Sequence, residues 1–183
     1  MTTPPALPKP APSRWLPLLL AVAIFMQMLD TTILNTALPK MALDLNESPL
    51  NMQSAVIAYA LTLALLIPLS GYLADRFGTR SVFIASMGIF VLGSVLCAAA
   101  PNLSMLLVAR VIQGIGGSML VPVPRLTLLR VYDKSQLLNA INYAVMPAMI
   151  APVIGPLVGG YLVELASWHW IFLINIPMGA LGM

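Results

Sequence analysis

The chain has 183 residues, of which 60% are hydrophobic and 8% charged, with a mean hydropathy of +0.93; soluble domains carry roughly 25% charge, so this is a membrane protein. The net charge of +3 is small and the basic residues cluster in short loops, which excludes a nucleic-acid footprint. One cysteine, Cys97, and one histidine, His169, cannot make an intrachain disulfide, a metal site or a Cys/His nucleophile pair, so conventional enzyme chemistry and a metal are not expected.

Residues 1–14 hold five prolines and two basic residues and lack the apolar content to fold. They are expected to be a disordered cytoplasmic tail, with residues 15–183 as a transmembrane bundle. The first span runs over about residues 15–38, long enough for a bilayer that needs ~20 residues, and too long and too polar for a signal peptide. Its second half, LDTTILNTALP, places Asp30, Thr31 and Asn35 among apolar residues. A charge at such depth costs a few kcal/mol and marks function by default, unless Asp30 lies near the far interface and is hydrated. Pro39 is expected to end the helix, with Lys40, Asp44 and Glu47 in a polar loop.

A second span covers about residues 50–74, with Pro68 a kink and Tyr59 either packing or lining a site. It leads into Gly71-Tyr72-Leu73-Ala74-Asp75-Arg76-Phe77-Gly78-Thr79-Arg80, which packs one acid and two arginines among glycines. Gly78 offers the positive φ of a tight reversal. Gly71 would let a helix approach closely, and Asp75 can pair with Arg76 or Arg80 or cap a helix. The third span, about residues 81–100, is nearly featureless, and its plainness predicts a peripheral, lipid-facing helix.

The fourth span, about residues 103–128, contains Arg110-Val111-Ile112-Gln113-Gly114-Ile115-Gly116-Gly117. Arg110 is either buried with a partner or snorkelling to the interface. By helical rise, Asp30 lies ~22 Å from one boundary and Arg110 ~10 Å below the other, so the two share a level and should meet. The fifth span, about residues 137–163, carries Ala151, Gly155 and Gly159 on one face, a seam for close packing, with Pro152 and Pro156 on a second row and Gly160 following. From Trp170 to the end is ~21 Å of helix, short of a ~30 Å core, so only the start of a sixth span is expected. His169, between two tryptophans, is expected at the interface.

Basic residues Lys9, Arg14, Arg76, Arg80, Arg130 and Lys134 fall on one side and Asp44, Glu47, Glu164 and Lys40 on the other, which places the N-terminus in the cytoplasm. Gly71-Tyr72-Leu73-Ala74-Asp75 returns as Gly160-Tyr161-Leu162-Val163-Glu164 on the opposite side, as three-plus-three inverted repeats would.

The spacing G-x-L-A-D-R-x-G-x-R resembles the loop between helices two and three of the major facilitator superfamily, and R-x-x-Q-G-x-G resembles its fourth-helix motif. L-D-x-T-I-x-N-x-A-L-P and G-P-x-x-G-G are similar to the first- and fifth-helix motifs of its drug:proton antiporters, and with SWHWIFLINIP they resemble the 14-helix branch. The resemblance implies an all-α membrane protein: the N-terminal bundle of a major facilitator transporter, with five complete transmembrane helices plus the start of a sixth. It further implies a multi-pass protein of the cell inner membrane that exports small amphipathic molecules against proton entry, with the proton gradient as energy source and no cofactor. Asp30, Arg110, Gln113, Asn35 and Thr31 would serve proton coupling and the cavity, and Gly71, Asp75, Arg76, Gly78 and Arg80 the conformational switch. Ala151, Pro152, Gly155, Pro156, Gly159 and Gly160 would form the helix-five packing motif. A complete transporter needs a C-terminal half. The alternative is a membrane remnant without transport of its own, or a half that assembles with a second chain.

Overall fold

The computed structural model describes residues 15–183, all-helical or in short turns; the expected tail, residues 1–14, lies outside them. The helices are α1 (Leu16–Asp44), α2 (Pro49–Leu66), α3 (Ser70–Phe77), α4 (Thr79–Ala98), α5 (Leu103–Gly117), α6 (Pro122–Val131), α7 (Lys134–Leu165), α8 (Trp170–Leu173) and α9 (Asn175–Gly182). A 3-10 turn over Ile67–Leu69, at Pro68, joins α2 to α3. Five helical stretches are long and apolar enough to cross a membrane: Leu16–Asp44, Pro49–Phe77, Thr79–Ala98, Leu103–Val131 and Lys134–Leu165. The last stretch, Trp170–Gly182, is apolar but short.

Local chemistry sets the boundaries. Ser48 caps α2, its hydroxyl accepting from the Asn51 N–H at 3.1 Å, with Pro49 opening the first turn. Asn102 caps α5 by accepting from the Met105 N–H at 2.9 Å. Gly78, at φ +81°, alone separates α3 from α4, a backbone setting that suits glycine. Pro39 does not stop α1. The helix runs through it to Asp44, because Met41 and Ala42 beyond it are buried in the core, and a Lys40–Asp44 pair at 3.3 Å bridges the last turn. Within the fourth span, Pro122 opens α6 after a turn at Ser118–Val121.

The most extensive packing joins α1 to α7, followed by α4 to α5 and α2 to α5. Toward α1, α7 presents Ala144, Ala148, Ala151, Gly155 and Gly159, all buried. Small residues let the two backbones close up, the seam expected from the spacing. Pro152 and Pro156 lie on the exposed face. The α4–α5 crossing is equally tight: a methyl at Gly93 would sit 2.5 Å from the Gln113 backbone.

The third span departs from the peripheral reading. One face of α4 is buried through Val82, Ser86, Phe90, Gly93, Ser94 and Cys97. Its small residues are what admit α5 so closely, so plainness in the sequence marked a tight interface.

Two apolar clusters stack along the bundle. One gathers Met26, Tyr59, Met87, Phe90 and Leu120, the other Ile33, Met52, Cys97, Leu106 and Phe172. Along α1 they meet between Met26 and Ile33, on either side of Asp30.

Candidate functional site

Asp30 points inward from α1 and is 1% exposed; Arg110 points inward from α5 and is likewise 1% exposed. The Arg110 Nη1 donates to Asp30 Oδ2 at 2.8 Å and to Gln113 Oε1 at 2.6 Å. Arg110 Nε donates to the Ala55 carbonyl at 3.4 Å. The guanidinium carbon lies 4.1 Å from the centre of the Tyr59 ring and 5.9 Å from that of Phe172. Arg110 is thus a buried cation with a carboxylate on one side and aromatic faces on others.

The second carboxylate oxygen is equally occupied. Asp30 Oδ1 accepts from Gln113 Nε2 at 2.8 Å and from Asn175 Nδ2 at 3.1 Å. The same two amide nitrogens donate to Ser94 Oγ, at 2.8 and 3.1 Å. Cys97 Sγ donates to Gln113 Oε1 at 3.6 Å. Ser94, Gln113, Cys97 and Asn175 are all fully buried. The cluster therefore ties α1, α4, α5 and α9 together through one carboxylate and one guanidinium, with Tyr59 of α2 as a wall.

Burying an ion pair costs desolvation that attraction and hydrogen bonds only roughly repay, but removing one partner leaves an uncompensated charge worth ~3–5 kcal/mol. The arrangement can do one chemical thing well. Were α1 and α5 to move apart at this level, the carboxylate freed from Arg110 could take up a proton, and renewed pairing would favour its release.

Thr31 and Asn35 do not join this cluster. Both are exposed on α1 and turn back to their own helix, Thr31 Oγ1 donating to the Gln27 carbonyl at 2.8 Å and Asn35 Nδ2 to the Thr31 carbonyl at 3.4 Å. Ser94, Cys97 and Asn175 belong to it and were not expected there. Their only sequence signal is a polar atom inside an apolar run, which for Ser94 and Cys97 reads equally well as packing.

The loop after the second span differs from its expected pairing. Asp75 pairs with Arg130 at the end of α6 rather than with Arg76 or Arg80. Arg76 donates to the Tyr72 hydroxyl at 2.7 Å and lies 5.6 Å over the Phe77 ring; Arg80 is exposed. Position i+4 on a short helix aims Arg76 back at Tyr72, which leaves Asp75 free for the neighbouring helix. Gly71 is not a close crossing either, since a methyl there would meet nothing within 4 Å. Gly71→Ala should accordingly raise helix stability by about 0.5–1 kcal/mol and leave the fold intact, as a thermal unfolding curve would register. His169 stacks on Trp168 with ring centres 3.7 Å apart, and its Nδ1 is 2.6 Å from Ser167 Oγ.

An apolar cleft of about 320 Å³ opens between α1, α6 and α7, lined by Ile24, Met28, Leu128 and Ile141, with Arg125 at its wall.

Multiple apolar spans packed around a buried charge pair define a polytopic membrane protein of the transporter type. Residues 20–183 match the model of the Major Facilitator Superfamily, and the chain belongs to that superfamily, one of membrane transporters and not of enzymes. The chain is 53% identical over 174 residues to the "Putative multidrug resistance protein MdtD" of Pectobacterium atrosepticum, covering 95% of this chain and 37% of that protein. It is 51% identical over 173 residues to the protein of the same name from Salmonella paratyphi B, covering 94% and 37%. The chain thus spans about 37% of the length of these relatives, at their N-terminal end. Among solved structures, a bacterial homolog of the human lysosomal transporter Spinster, in an inward-facing and unoccupied conformation, matches with a TM-score of 0.76 at 19% identity. That match covers 93% of this chain and 42% of the other, and establishes the shared fold.

Proposed function

We propose that the chain forms the N-terminal part of a proton-coupled exporter of small amphipathic molecules, in which the Asp30–Arg110 pair is the proton-sensitive element. The observation that carries this reading is the pair itself: an acid and a base, each 1% exposed, held at 2.8 Å on two different spans. An intramembrane charge pair is costly to bury and marks function by default, and two opposite charges on separate spans suit a coupling role beside the structural one. The relatives named for multidrug resistance support export, and the apolar cleft with Arg125 at its wall suits ligands recognised by bulk as well as charge.

The positive-inside distribution of Lys and Arg supports a cytoplasmic N-terminus, and the bacterial relatives support a cell inner membrane location. In that orientation the Asp75–Arg130 pair lies at the cytoplasmic edge, far from the buried pair, and holds α3 against α6 in one state of the transport cycle. Both side chains are substantially exposed, at 70% and 45%, so the pair contributes at most about 1 kcal/mol of stability. Asp75→Asn should slow transport of every substrate alike. A changed substrate profile with unchanged rates would contradict the latch.

The exposed apolar faces of α2 and α7, with Ile57, Leu61, Met149 and Val153 among their residues, are consistent with a further bundle or lipid covering them. In this reading transport needs a C-terminal half as well, since the chain spans about 37% of the length of the relatives. The test is export of amphipathic dyes from vesicles containing the full-length protein, with and without an imposed proton gradient. Gradient-dependent export supports the reading; equal rates with and without a gradient contradict it.

A further inference from the structure

Among the side chains that donate to Asp30, one is left out of balance. Asn175 is fully buried, its Nδ2 donating to both Asp30 Oδ1 and Ser94 Oγ at 3.1 Å, while its own Oδ1 has no hydrogen-bond partner. Buried amide oxygens are nearly always satisfied, so an orphan in a site this crowded calls for a reason.

The ionised state of Asp30 supplies it. A carboxylate oxygen can only accept, so any amide beside it must present nitrogen, whatever becomes of its oxygen. A proton on Asp30 Oδ1 inverts the requirement. The acid then offers an O–H, and both amides facing it, those of Gln113 and Asn175, present N–H groups as well.

The two amides differ in their freedom to turn. Gln113 is held by its oxygen, which accepts from Arg110 Nη1 at 2.6 Å and from Cys97 Sγ at 3.6 Å. Asn175 has nothing bound to its oxygen, so a half-turn about its terminal torsion loses no bond there. We infer that the Asn175 carboxamide is a positioning residue that turns over when Asp30 takes up a proton, bringing Oδ1 to the new Asp30 O–H and releasing Nδ2 from the carboxylate. The proton comes from the aqueous side and ends on Asp30 Oδ1; no other covalent bond changes. The turn also withdraws Nδ2 from Ser94, so that the protonation state of α1 is registered in the contact between α9 and α4.

The ionisable groups facing Asp30 are Arg110 of α5, Tyr59 of α2 and Cys97 of α4, while α7 meets α1 at this level with alanine and glycine and α9 contributes Asn175 alone. Arg110 and Gln113 can only donate to Asp30 as they are held; the Asn175 amide can present either a donor or an acceptor to it. This inference rests on the reading of Asp30 as the residue that takes up the proton.

The test is infrared difference spectroscopy across a pH titration of full-length protein in lipid, carrying asparagine labelled isotopically at its side-chain carbonyl. The Asp30 carboxyl band is assigned by its loss in Asp30→Asn, and the Asn175 carbonyl band by its loss in Asn175→Ser. The expected result is a protonated Asp30 band that appears on acidification, and an Asn175 carbonyl band that shifts with the same midpoint and is pH-insensitive in Asp30→Asn. If Asn175→Ser does not fold, the comparison of wild type with Asp30→Asn still decides, through the presence or absence of one pH-dependent asparagine carbonyl. An Asp30 band with no accompanying carbonyl shift would overturn the inference and leave Asp30 as the proton site. No Asp30 band at any pH the protein survives would overturn both.

Discussion

Asp30→Asn is expected to abolish proton-driven export by the full-length transporter while leaving substrate binding and substrate-for-substrate exchange close to wild type. Removing the counter-charge of the buried Arg110 costs stability as well, so binding and exchange are compared per folded molecule. The carboxamide is nonetheless nearly isosteric and can still accept from Arg110, so the folded fraction keeps much of the cluster's shape. It cannot gain or lose a proton, so the step that distinguishes uphill export from passive exchange is removed. Arg110→Ala should be more damaging. It deletes the 2.8 Å pair, the 2.6 Å bond to Gln113, the bond to the Ala55 carbonyl and the stack on Tyr59 together. What remains is a buried carboxylate without counter-charge, a destabilisation of ~3–5 kcal/mol, comparable to the whole margin of many proteins. Low yield together with lost coupling is the expected outcome, measured by expression in membranes and by dye export. An Arg110→Ala protein that is well expressed and fully coupled would show that the pair has neither a structural nor a coupling role.

Gly155→Val should prevent normal folding. An added Cβ at Gly155 would fall on Thr32 Oγ1 and within 3.0 Å of Thr32 Cβ, and one at Gly159 would meet Ile33 and Thr36 in the same way. Thr32 cannot readily move aside, because its hydroxyl donates to the Met28 and Leu29 carbonyls at 3.1 Å and its branched side chain has few rotamers in a helix. Overpacking of this kind typically costs ~1–3 kcal/mol, and valine adds two further methyls to the overlap. The matched control is Gly160→Val on the same helix, where an added Cβ meets nothing within 4 Å. Size-exclusion profiles of the two variants in detergent should differ sharply, with Gly155→Val aggregated or absent and Gly160→Val monodisperse. Identical profiles would place the Ala151–Gly155–Gly159 face away from α1.

Features governed by burial and periodicity were legible before the fold was known. The spans follow from uninterrupted apolar runs, the α7 seam from a four-residue repeat of small residues, and the Gly78 reversal from the one glycine between two helices. Even the meeting of Asp30 with Arg110 follows from residue counts, since helical rise converts position into depth. What escaped was partner choice. Asp75 has arginines one and five positions away, yet it pairs with Arg130, because only tertiary packing decides which cation stands opposite. Pro39 has the local signature of a helix end, but the burial of Met41 and Ala42 carries α1 past it. Gly71 and Gly93 look alike in the sequence, and one faces open space while the other lies against Gln113. Asn175 and Ser94 escaped for a related reason: a single polar atom in an apolar run acquires meaning only once α4 and α9 bring it to the carboxylate of α1.

The most direct test of the Asp30–Arg110 account is substrate-dependent proton flux in vesicles containing the full-length protein, comparing wild type with Asp30→Asn. Addition of an exported dye should drive proton movement through the wild type and none through the variant, with dye binding retained by both. Full dye-dependent proton flux in Asp30→Asn would contradict the assignment and move proton coupling to another residue.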